Sequence, residues 1–565
     1  MTPPSSTTRA QSDEAITGIQ AMMGEGVVEA RGFWADAWSQ VIRRTGAIIG
    51  ITWILIVAAM AVFGPVIASG HPVVLREIDP ATGTVVETSS PLLEHLTTAD
   101  VLLLVLGIVG PLWIFLPMPA PLPRKRSQRL GILAAGAAQA AITLVAALLY
   151  RAAGDDGSLG FLPPIEDAGR PILWVLVALA ALVAAGFFAI PSVVNPAGRA
   201  ALVGLTGAVA VAALASSWNT PLNRFDYAQR EAAGQIDATY TLVPWSPAQR
   251  FGDRETRNLP PGSTSAQGLR NNLLYDVPAG PVDADRFPVL LDRAAALPLP
   301  DESRAEIVAD LAALADDAGP VARADLSALL LERLADDGRP YHLGTDASGQ
   351  DVLSQLIHAS RLAISIGFVS TGIAVLIGVT LGALMGYFGG LVDILLYRVV
   401  EIFMAIPVLV ILIVAAGVLP RNTYVMMAII GLFTWHGAAR FTRAEFFKLR
   451  NQDFVQSARA VGLPLRSILF RHMLPNGVTP VLVDASFAIA VAILFEAILS
   501  YLGLGPADQA SWGRLLADAT GETARLNWWL ATFPGVAIFL TVLSYNLVGE
   551  ALRDAIDPKL KKARV

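Results

Sequence analysis

The amino-acid sequence predicts an all-α polytopic membrane protein with about ten transmembrane helices. Of the 565 residues, 54% are hydrophobic and only 16% are charged, whereas about a quarter of a soluble globular chain is charged. The mean hydropathy of +0.55 agrees with this class. The chain also contains a series of apolar runs of about 20 residues, the length that an α-helix needs to cross the hydrocarbon core of a bilayer.

The apolar runs are spread over the whole chain. They cover residues 47–67, 99–118, 130–150, 171–190, 200–216, 362–387, 394–418, 423–439, 478–504 and 528–552. The first 45 residues hold no apolar run before a cleavage site, so the first span is expected to direct membrane insertion. Lys and Arg collect in short loops on the cytoplasmic side of membrane proteins. The basic segments 123–129, 440–471 and 553–564 therefore predict that both termini face the cytoplasm.

A hydrophilic region, residues 217–355, is left on the outer side by this topology. Between residues 283 and 339 it carries 13 Asp and Glu against 6 Arg, in a pattern typical of short amphipathic helices. The chain has no cysteine, so core packing rather than disulfides has to stabilise this region. Two interpretations stay open: a solvated helical insert, or a docking surface for a partner.

A short charged stretch, residues 456–476, lies between two apolar runs. Asn451 or Asp453 can cap a first helix, and Gly462 can end it because glycine tolerates a left-handed backbone. Pro464 can occupy the first position of a second helix, and Pro475 limits its continuation into the next span. The predicted apolar sides are Phe454, Val455, Ala458 and Val461 in the first helix and Leu465, Ile468, Leu469 and His472 in the second. An interfacial amphipathic turn that merely anchors the loop is an equal alternative on periodicity alone.

The same stretch resembles the signature loop of ATP-binding-cassette importer permeases, which has Glu-Ala-Ala, a glycine four residues beyond the last alanine, and a distal Leu-Pro. The matching positions are Gln456, Ser457, Ala458, Gly462, Leu474 and Pro475, with His472 and Asn476 in the ending HMLPN. Gln456 replaces the acidic residue of the family pattern, and Ser457 replaces its first alanine. A carboxylate that could pair with an arginine of the partner is therefore missing.

Further segments are similar to the C-type permease subunit of dipeptide, oligopeptide and nickel importers. They are FWADAWSQVIRRTGAIIG (33–50), HLGTDASGQDVLSQLIHASRLAISIG (342–367), GYFGGLVDILLYRVVEIFMAIP (386–407), LSYLGLG (499–505) with SWG (511–513), and FPGVAIFLTVLSYNLVGEALRDAIDP (533–558). The resemblance implies the following division: a cytoplasmic N-terminal segment (1–45), a first transmembrane helix (46–70), an inserted four-helix transmembrane region (99–216), an extracytoplasmic loop with an acidic helical insert (217–345), and a core permease domain (346–560) with a cytoplasmic coupling loop (440–477).

The resemblance also implies a type I ABC importer permease fold in the bacterial inner membrane. The expected partners are a second permease subunit, two ATP-binding cassette ATPase subunits, an extracytoplasmic solute-binding protein and membrane lipid, but no nucleic acid. This chain lacks the phosphate-loop pattern Gly-x-x-x-x-Gly-Lys-Ser/Thr, so ATP and Mg are expected on the ATPase subunits and no cofactor on this chain. The expected function is not enzymatic: the chain would form half of a translocation pathway for peptides or similar small solutes.

Contact with the ATPase subunits is expected along the coupling loop. Apolar side chains such as Phe454, Leu465 and Leu469 would fill a groove of the ATPase or else lie in the membrane interface. The arginines would contact the rim of the groove or supply only the inside charge. No catalytic and no metal-binding residue is predicted. The predicted coupling residues are Phe454, Gln456, Ser457, Ala458, Arg459, Gly462, Leu465, Arg466, Leu469, His472, Leu474 and Pro475.

Acidic residues inside the apolar spans are candidates for the translocation path, because charge is costly in lipid and usually faces a cavity or a partner. Glu401, Asp484 and Glu496 qualify, and helix packing with access to water is an alternative for Glu496. Small residues at helical spacing from Gly378 to Gly386 favour close packing, expected against the partner permease. Gly386, Gly389 and Gly390 are expected to form a tight helix connection rather than a binding loop.

A secondary transporter or channel that is not coupled to ATP is the alternative function. Such a protein could also have ten spans and buried acidic residues, but it would not need an inner loop of this kind, and no clear inverted repeat is visible. A membrane enzyme is a third choice. The sequence disfavours it because it contains no His-Glu-x-x-His, no Gly-x-Ser-x-Gly and no dense carboxylate cluster.

Overall fold

The computed structural model describes residues 33–79, 82–115, 227–232, 234–247, 257–274, 277, 281–295, 297, 301–316, 321–334, 340–506, 509–520 and 527–556. The predicted spans 130–150, 171–190 and 200–216 lie outside these residues. Within the described ranges, four helices are long and apolar enough to cross a membrane, and one bent pair of helices could form a fifth span. The class of a helical, multi-span membrane protein is therefore confirmed, whereas the count of ten stays a prediction.

The described part of the chain before residue 340 combines short helices and strands with two apolar helices. In chain order it contains helices α1 (Phe33–Val41) and α2 (Thr45–Ile67), strands β1 (Val74–Ile78) and β2 (Val85–Ser89), helices α3 (Pro91–Glu94), α4 (Thr98–Phe115) and α5 (Tyr227–Ala232), strand β3 (Ile236–Thr239), helix α6 (Ser265–Leu273), strand β4 (Pro281–Val282), a 3-10 turn (Ala284–Arg286), helices α7 (Phe287–Ala295) and α8 (Asp301–Asp316), strand β5 (Val321–Ala322) and helix α9 (Arg323–Arg333).

The described part after residue 340 is helical. It contains α10 (Val352–Phe388), α11 (Gly390–Ala405), α12 (Val408–Val418), α13 (Thr423–Thr434), α14 (His436–Leu449), α15 (Asp453–Ala460), α16 (Leu465–Ser467), a π-helical turn (Ile468–Met473), α17 (Leu474–Gly477), α18 (Thr479–Tyr501), α19 (Trp512–Ala519) and α20 (Trp528–Ile556). The candidate spans are α2, α10, α18 and α20, and the bent pair is α11 with α12.

One predicted span is bent in the structure, and another continues beyond its predicted end. The run 394–418 forms α11 and α12, which meet at 81°. Pro407 lies at this bend, and the residue before it, Ile406, has the extended backbone that a following proline favours (φ −97°, ψ 128°). The run 423–439 forms the 12 residues of α13 and the start of α14. Trp435, the residue between them, keeps a right-handed helical backbone (φ −63°, ψ −22°), so the chain continues from one helix into the next.

The longest helix, α10, packs against α14 along a stripe of glycines. A Cβ atom at Gly378 would lie 2.6 Å from the carbonyl oxygen of Trp435, and one at Gly386 would lie 2.5 Å from the Cβ atom of Phe446. Gly382, one helical turn from each, is equally close to α14. Because side chains cannot be placed at these distances, glycine allows the two backbones to touch. The prediction that this stripe packs against a partner permease is therefore wrong, since α14 of the same chain covers it.

A small antiparallel sheet follows the first span and corrects the all-α prediction. Its strand order is β2-β1-β3, with Leu75 of the central strand opposite Ser89 on one side and Ala238 on the other. Leu75 and Ile236 are buried, so the sheet covers a small apolar core. Strands β1 and β2 precede residues 116–226 and β3 follows them, so chain segments from both sides of that region pair in one sheet.

A charged contact fixes α4, the start of the predicted transmembrane insertion, to the helices of the core. Arg361 of α10 donates from Nη1 to Asp100 of α4 at 2.5 Å and from Nε to the carbonyl oxygen of Ala61 in α2 at 3.0 Å. Asp100 is buried and also accepts hydrogen bonds from the hydroxyl and the amide of Thr97, at 2.6 and 2.8 Å. Its charge is therefore paired, as burial requires.

Residues 265–334 form a helical module with a core of its own. Helices α6 to α9 contribute most of a buried apolar cluster, which consists mainly of leucines and includes Phe287 and Ile307, and β4 pairs with β5. The chain enters and leaves the module at neighbouring points. Tyr341 donates to the carbonyl oxygen of Ser263 and accepts from the amide of Gly262, both at 2.8 Å. The predicted short helices are confirmed, and their position outside the membrane stays a prediction.

Because the module begins and ends at adjacent residues, we expect that it can be removed without unfolding the rest of the chain. Replacing residues 265–338 by a short glycine-serine linker should leave the thermal midpoint of the purified protein in detergent unchanged. As a matched control, Leu259→Asp should lower that midpoint, because Leu259 is 2% exposed and its carbonyl oxygen accepts from the amide of Thr345 at 2.9 Å. Aggregation of the shortened chain would contradict an autonomous module.

Candidate coupling site

The elbow, defined as residues 453–477, connects α14 to the span α18. Its first arm, α15, ends at Gly462, whose φ of 78° lies in the left-handed region that favours glycine. The amide of Leu463 donates to the carbonyl oxygen of Ala458 at 3.1 Å, which closes the helix end. The second arm, residues 465–477, follows Pro464. The predicted order of helix, glycine, proline and helix is therefore confirmed, although Pro464 is the N-cap rather than the first helical residue.

Two predictions about the ends of the arms are wrong. Neither Asn451 nor Asp453 caps α15: the N-cap is Gln452, and Asp453 is the first helical residue, where its charge lies at the positive end of the helix dipole. Pro475 does not end the second arm. The π-helical turn just before it widens the helix, with the amide of Leu474 donating to the carbonyl oxygen of Leu469, and Pro475 itself has no amide to donate.

The second arm therefore runs into α18 almost without a break. Val478, the only residue between α17 and α18, keeps a right-handed helical backbone (φ −75°, ψ −18°). Its amide donates to the carbonyl oxygen of Leu474 at 2.8 Å, and its own carbonyl oxygen accepts from Leu482 at 3.0 Å. A displacement of the elbow would consequently displace the span.

The inner side of the elbow is an apolar cluster. Leu469, predicted to project into an ATPase groove, is only 5% exposed. That part of the prediction is corrected, because the side chain of Leu469 instead holds the elbow against α14. The cluster consists of Val455, Ala458, Ile468, Leu469 and Met473 of the elbow, Phe446 and Leu449 of α14, and Ala383 of α10.

The outer side of the elbow presents large apolar side chains to solvent. Val461 is 79% exposed, and Phe454 and Leu465 are each 39% exposed. The predicted apolar side of α15 is therefore split, with Val455 and Ala458 turned inwards and Phe454 and Val461 turned outwards. Large apolar side chains exposed on one short segment are typical of a contact surface. The other predicted residues are exposed at Gln456, Ser457, Arg459, Arg466 and Pro475 and partly buried at His472 and Leu474.

Gln456, which replaces the acidic residue of the signature pattern, has a defined partner within the chain. Its Nε2 atom donates to the carbonyl oxygen of Arg450 at 3.1 Å. A glutamate carboxylate has no donor for this contact. We expect Gln456→Glu to lose the link between α15 and the end of α14, which hydrogen exchange of the α15 amides measures as faster exchange. Gln456→Ala is the matched control, because it removes the same contact without adding charge and should give the same result.

An ion pair that sequence reasoning missed holds α14 to the start of α11. Arg443 donates from Nε and Nη2 to the two carboxylate oxygens of Asp393, at 2.5 and 2.7 Å. Its guanidinium also lies over the rings of Tyr397 and Phe447, at 4.5 and 4.8 Å from their centroids. Paired arginine and carboxylate groups of this geometry fix orientation as well as charge. The available signal in the sequence was an acid, Asp393, just after the glycine turn at Gly389, together with a basic residue, Arg443, in a segment rich in Arg and Lys.

The three carboxylates predicted for the translocation path lie in different environments. Glu401 is partly exposed and accepts from Nη1 of Arg398 at its Oε2 atom, at 2.6 Å, within α11. Asp484 of α18 is partly buried and faces α14, since a Cβ atom at Gly437 would lie 3.5 Å from its Oδ2. The described residues contain no group of three or more His, Asp or Glu that could hold a metal ion.

Glu496 is buried at the corner between α18 and α19. Its Oε1 atom accepts from the hydroxyls of Ser500 and Ser511, both at 2.7 Å, and Ser511 in turn caps α19 by accepting from the amide of Gly513 at 3.1 Å. Glu496 is 1% exposed. These contacts link the two helices at the corner and favour the helix-packing alternative for Glu496, while its role in the translocation path stays a prediction.

A group of aspartates at the start of α10 was also missed. Asp346 accepts from the amides of Ser348 and Gln350 at 2.7 and 2.9 Å, and from Nε2 of Gln355 at 2.6 Å. Asp351 caps α10 by accepting from the amide of Ser354 at 2.6 Å, while its Oδ1 atom is buried and has no hydrogen-bond partner within the described ranges. Burial and the charge of Asp346 raise the pKa of Asp351 to about 7.

This raised pKa predicts a pH-dependent stability. The folded chain holds the proton of Asp351 up to about pH 7, whereas the unfolded chain releases it near the ordinary value of 3.8, so stability falls as pH rises between these values. Asp351→Asn keeps the cap without the charge. Its thermal midpoint should exceed that of the parent at pH 8, by a margin that shrinks toward pH 4. Equal midpoints at pH 8 would contradict a charged, desolvated carboxylate at this position.

Two segments of the chain match known protein families. Residues 378–562 match the family described as binding-protein-dependent transport system inner membrane component, and residues 32–82 match the N-terminal TM domain of oligopeptide transport permease C. The oligopeptide transport system permease protein OppC of Haemophilus influenzae is 38% identical over 221 residues, which are 39% of this chain and 71% of that protein. The chain belongs to the family of binding-protein-dependent transport system inner membrane components.

Two further permease proteins are similar to this chain over comparable lengths. The dipeptide transport system permease protein DppC of Alkalihalophilus pseudofirmus is 34% identical over 40% of this chain and 75% of that protein. The OppC protein of Bacillus subtilis is 35% identical over 40% of this chain and 73% of that protein. A solved inward-facing chain of the MetNI methionine ABC transporter is 15% identical over 36% of this chain and 97% of that chain, with a TM-score of only 0.30.

The matched segments include the elbow, but they do not include the helical module or the region 99–216. Residues 378–562 include α11 to α20 and all the predicted coupling residues. The helical module and the region 99–216 fall between the two matched segments. The predicted resemblance to importer permeases is therefore confirmed, because the chain is a member of the permease family. The role of each coupling residue stays a proposal.

Proposed function

We propose that this permease forms half of the translocation pathway of an ATP-driven importer for peptides or similar small solutes. A second permease subunit would complete the pathway, two ATP-binding cassette ATPase subunits would bind ATP and Mg, and an extracytoplasmic binding protein would deliver the solute. Peptides are proposed because the relatives named above are permeases of oligopeptide and dipeptide transport systems. The chain itself would bind no cofactor and carry no enzymatic activity.

The observation that carries this proposal is the continuity between the elbow and a span. Phe454, Val461 and Leu465 lie on the outer side of the elbow, where they would fill a groove in an ATPase subunit. The buried cluster behind them joins the elbow to α14, so the two would move together. Since the second arm continues into α18, closure of the ATPase pair would tilt this span and alternate the pathway between outward-open and inward-open states.

The orientation follows from the basic residues. Arg459, Arg466 and Arg471 are exposed on the elbow, and Arg553 lies in the last turn of α20. Positive charge marks the cytoplasmic side, so the elbow and both termini would face the cytoplasm. The corner around Asp351 and the helical module would then lie outside, where the module could be a solvated insert or a docking surface.

Asp484 is the candidate pathway carboxylate that this proposal uses. Asp484 is partly buried on α18 and faces α14, so it lies between the two helices that the elbow would move. A carboxylate at such a position usually faces water or a partner rather than lipid. Glu401 lies on the exposed side of α11 and would be covered by lipid headgroups or by the second permease.

The experiment is uptake into vesicles that contain the full complex. We expect peptide uptake that requires ATP and the binding protein, and that persists when ionophores collapse proton and sodium gradients. An ATPase subunit unable to hydrolyse ATP is the matched control and should abolish uptake. Uptake by this permease alone, driven by an ion gradient, would instead indicate a secondary transporter and would overturn the proposal.

A further inference from the structure

A polar pocket separates the first arm of the elbow from the end of α10. It has a volume of about 530 Å³ and is lined by Tyr387, Phe388, Arg450, Asn451 and Arg459. This volume is within the range of small-molecule binding sites. The lining contains two cationic side chains, one amide and two aromatic rings, but no carboxylate. The chemistry of the lining therefore favours an anion.

The two arginines are held in place by aromatic rings rather than by acids. The guanidinium of Arg459 lies 4.6 Å from the ring centroid of Tyr387, and that of Arg450 lies 4.8 Å from the ring centroid of Phe447. Neither forms an ion pair with any residue that the structure describes, unlike Arg443, which pairs with Asp393. Oriented guanidinium groups without a carboxylate bind phosphate groups well, because their planar donors match phosphate oxygens.

A glycine turn gives the pocket its shape. Gly389 connects α10 to α11 with a φ of 65°, and a Cβ atom at this position would lie 2.6 Å from Nη1 of Arg450. The predicted tight connection is thus confirmed at Gly389 and Gly390, whereas Gly386 lies within α10. A side chain there would displace the guanidinium of Arg450, so the turn also keeps one wall of the pocket free.

The pocket borders on an apolar surface of the kind that faces lipid. Phe388, which lines the pocket, is 48% exposed, and Leu391 and Leu395 at the start of α11 are 77% and 66% exposed. Since α11 belongs to the bent pair that could form a span, its first residues lie near the membrane surface. A soluble anion or a carboxylate of a partner protein would use the arginines alone. A phospholipid would use the arginines for its headgroup and the apolar residues for its acyl chains.

We propose that this pocket binds the headgroup of an anionic phospholipid, with Arg450 and Arg459 on the phosphate and the apolar start of α11 against the acyl chains. Basic pockets at the cytoplasmic ends of membrane helices are typical sites for such headgroups. The lipid would brace the elbow against the end of α10, and its binding does not depend on the partners assigned under the proposed function.

In the test, the purified full-length chain in detergent is titrated with short-chain phosphatidylglycerol. The thermal midpoint of the protein is measured at each lipid concentration. Phosphatidylcholine and inorganic phosphate are titrated in parallel. We expect phosphatidylglycerol to raise the midpoint well above either. Arg459→Gln and Arg450→Gln should each weaken the apparent affinity about tenfold. Arg466→Gln removes an exposed arginine of the elbow that does not line the pocket, and it should leave the affinity unchanged.

Three outcomes would overturn the proposal. An equal rise with inorganic phosphate alone would show a site for a soluble anion. Unchanged affinity in both Arg450→Gln and Arg459→Gln would show that the lipid binds elsewhere. No response to phosphatidylglycerol, together with loss of ATPase subunits from complexes that carry Arg459→Gln, would assign the arginines to a partner protein. If Arg450→Gln fails to fold, the exposed Arg459 still decides the result.

Discussion

Val461→Asp is expected to abolish ATP-dependent uptake while the permease stays folded. Val461 is 79% exposed, so a charge at this position should change the free energy of unfolding by less than about 0.5 kcal/mol. In the assembled transporter the same charge would be buried, unpaired, in the contact between the elbow and an ATPase subunit. We expect at least about a tenfold loss of uptake and of retained ATPase, measured on the same purified complexes.

Leu242→Asp is the matched control for this prediction. Leu242 is 81% exposed and lies in the loop after β3, on the side of the molecule assigned to the exterior. The new charge is the same and the exposure is similar, so retention of the ATPase subunits should be normal. Parent levels of uptake and ATPase retention in Val461→Asp would contradict the assignment of the outer side of the elbow as the contact surface.

Gly386→Val is expected to destabilise the fold strongly. A Cβ atom at Gly386 would lie 2.5 Å from the Cβ atom of Phe446 and 2.6 Å from the carbonyl oxygen of Arg443. Relief requires α10 and α14 to separate, which would also open the cluster that supports the elbow. Overpacking typically costs about 1–3 kcal/mol, and contacts with backbone atoms place this site at the upper end. The thermal midpoint and the yield of monodisperse protein measure the effect.

Gly372→Val tests whether this loss comes from contact with α14 or from valine itself. Gly372 lies in the same helix, and a Cβ atom there would meet nothing within 4 Å. The variant should therefore keep the parent midpoint to within about 0.5 kcal/mol of stability. If Gly386→Val is equally stable, the glycine stripe is not the contact between α10 and α14.

The local features of the fold could be predicted where one residue determines the backbone. Gly462 ends α15 and Gly389 turns the chain between α10 and α11, because only glycine is unstrained at a positive φ. The apolar runs predicted the four candidate spans, since the length of a bilayer-crossing helix is fixed. Pro407 could have indicated the bend, but the run 394–418 is long enough for one continuous span and was therefore predicted as one.

Features that depend on which surfaces meet could not be predicted from the sequence. A valine and a phenylalanine look alike in an apolar pattern, yet Val455 is buried and Phe454 is exposed. The glycine stripe from Gly378 to Gly386 predicted close packing correctly but not the partner helix. Likewise, Leu469 fits a contact surface by periodicity, and only the position of Phe446 on α14 places it inside. These choices are tertiary, and no local rule determines them.

In the proposed mechanism the elbow is a cytosolic contact site for an ATPase subunit. Because the chain contains no cysteine, a single introduced cysteine can measure that contact directly. A single cysteine at Val461, labelled with a short photo-reactive crosslinker in the assembled transporter, should yield an adduct with an ATPase subunit. A cysteine at Leu242 should instead be labelled by a membrane-impermeant reagent from outside intact cells. Labelling of Val461→Cys from outside, or no ATPase adduct in an assembly that hydrolyses ATP, would contradict the account.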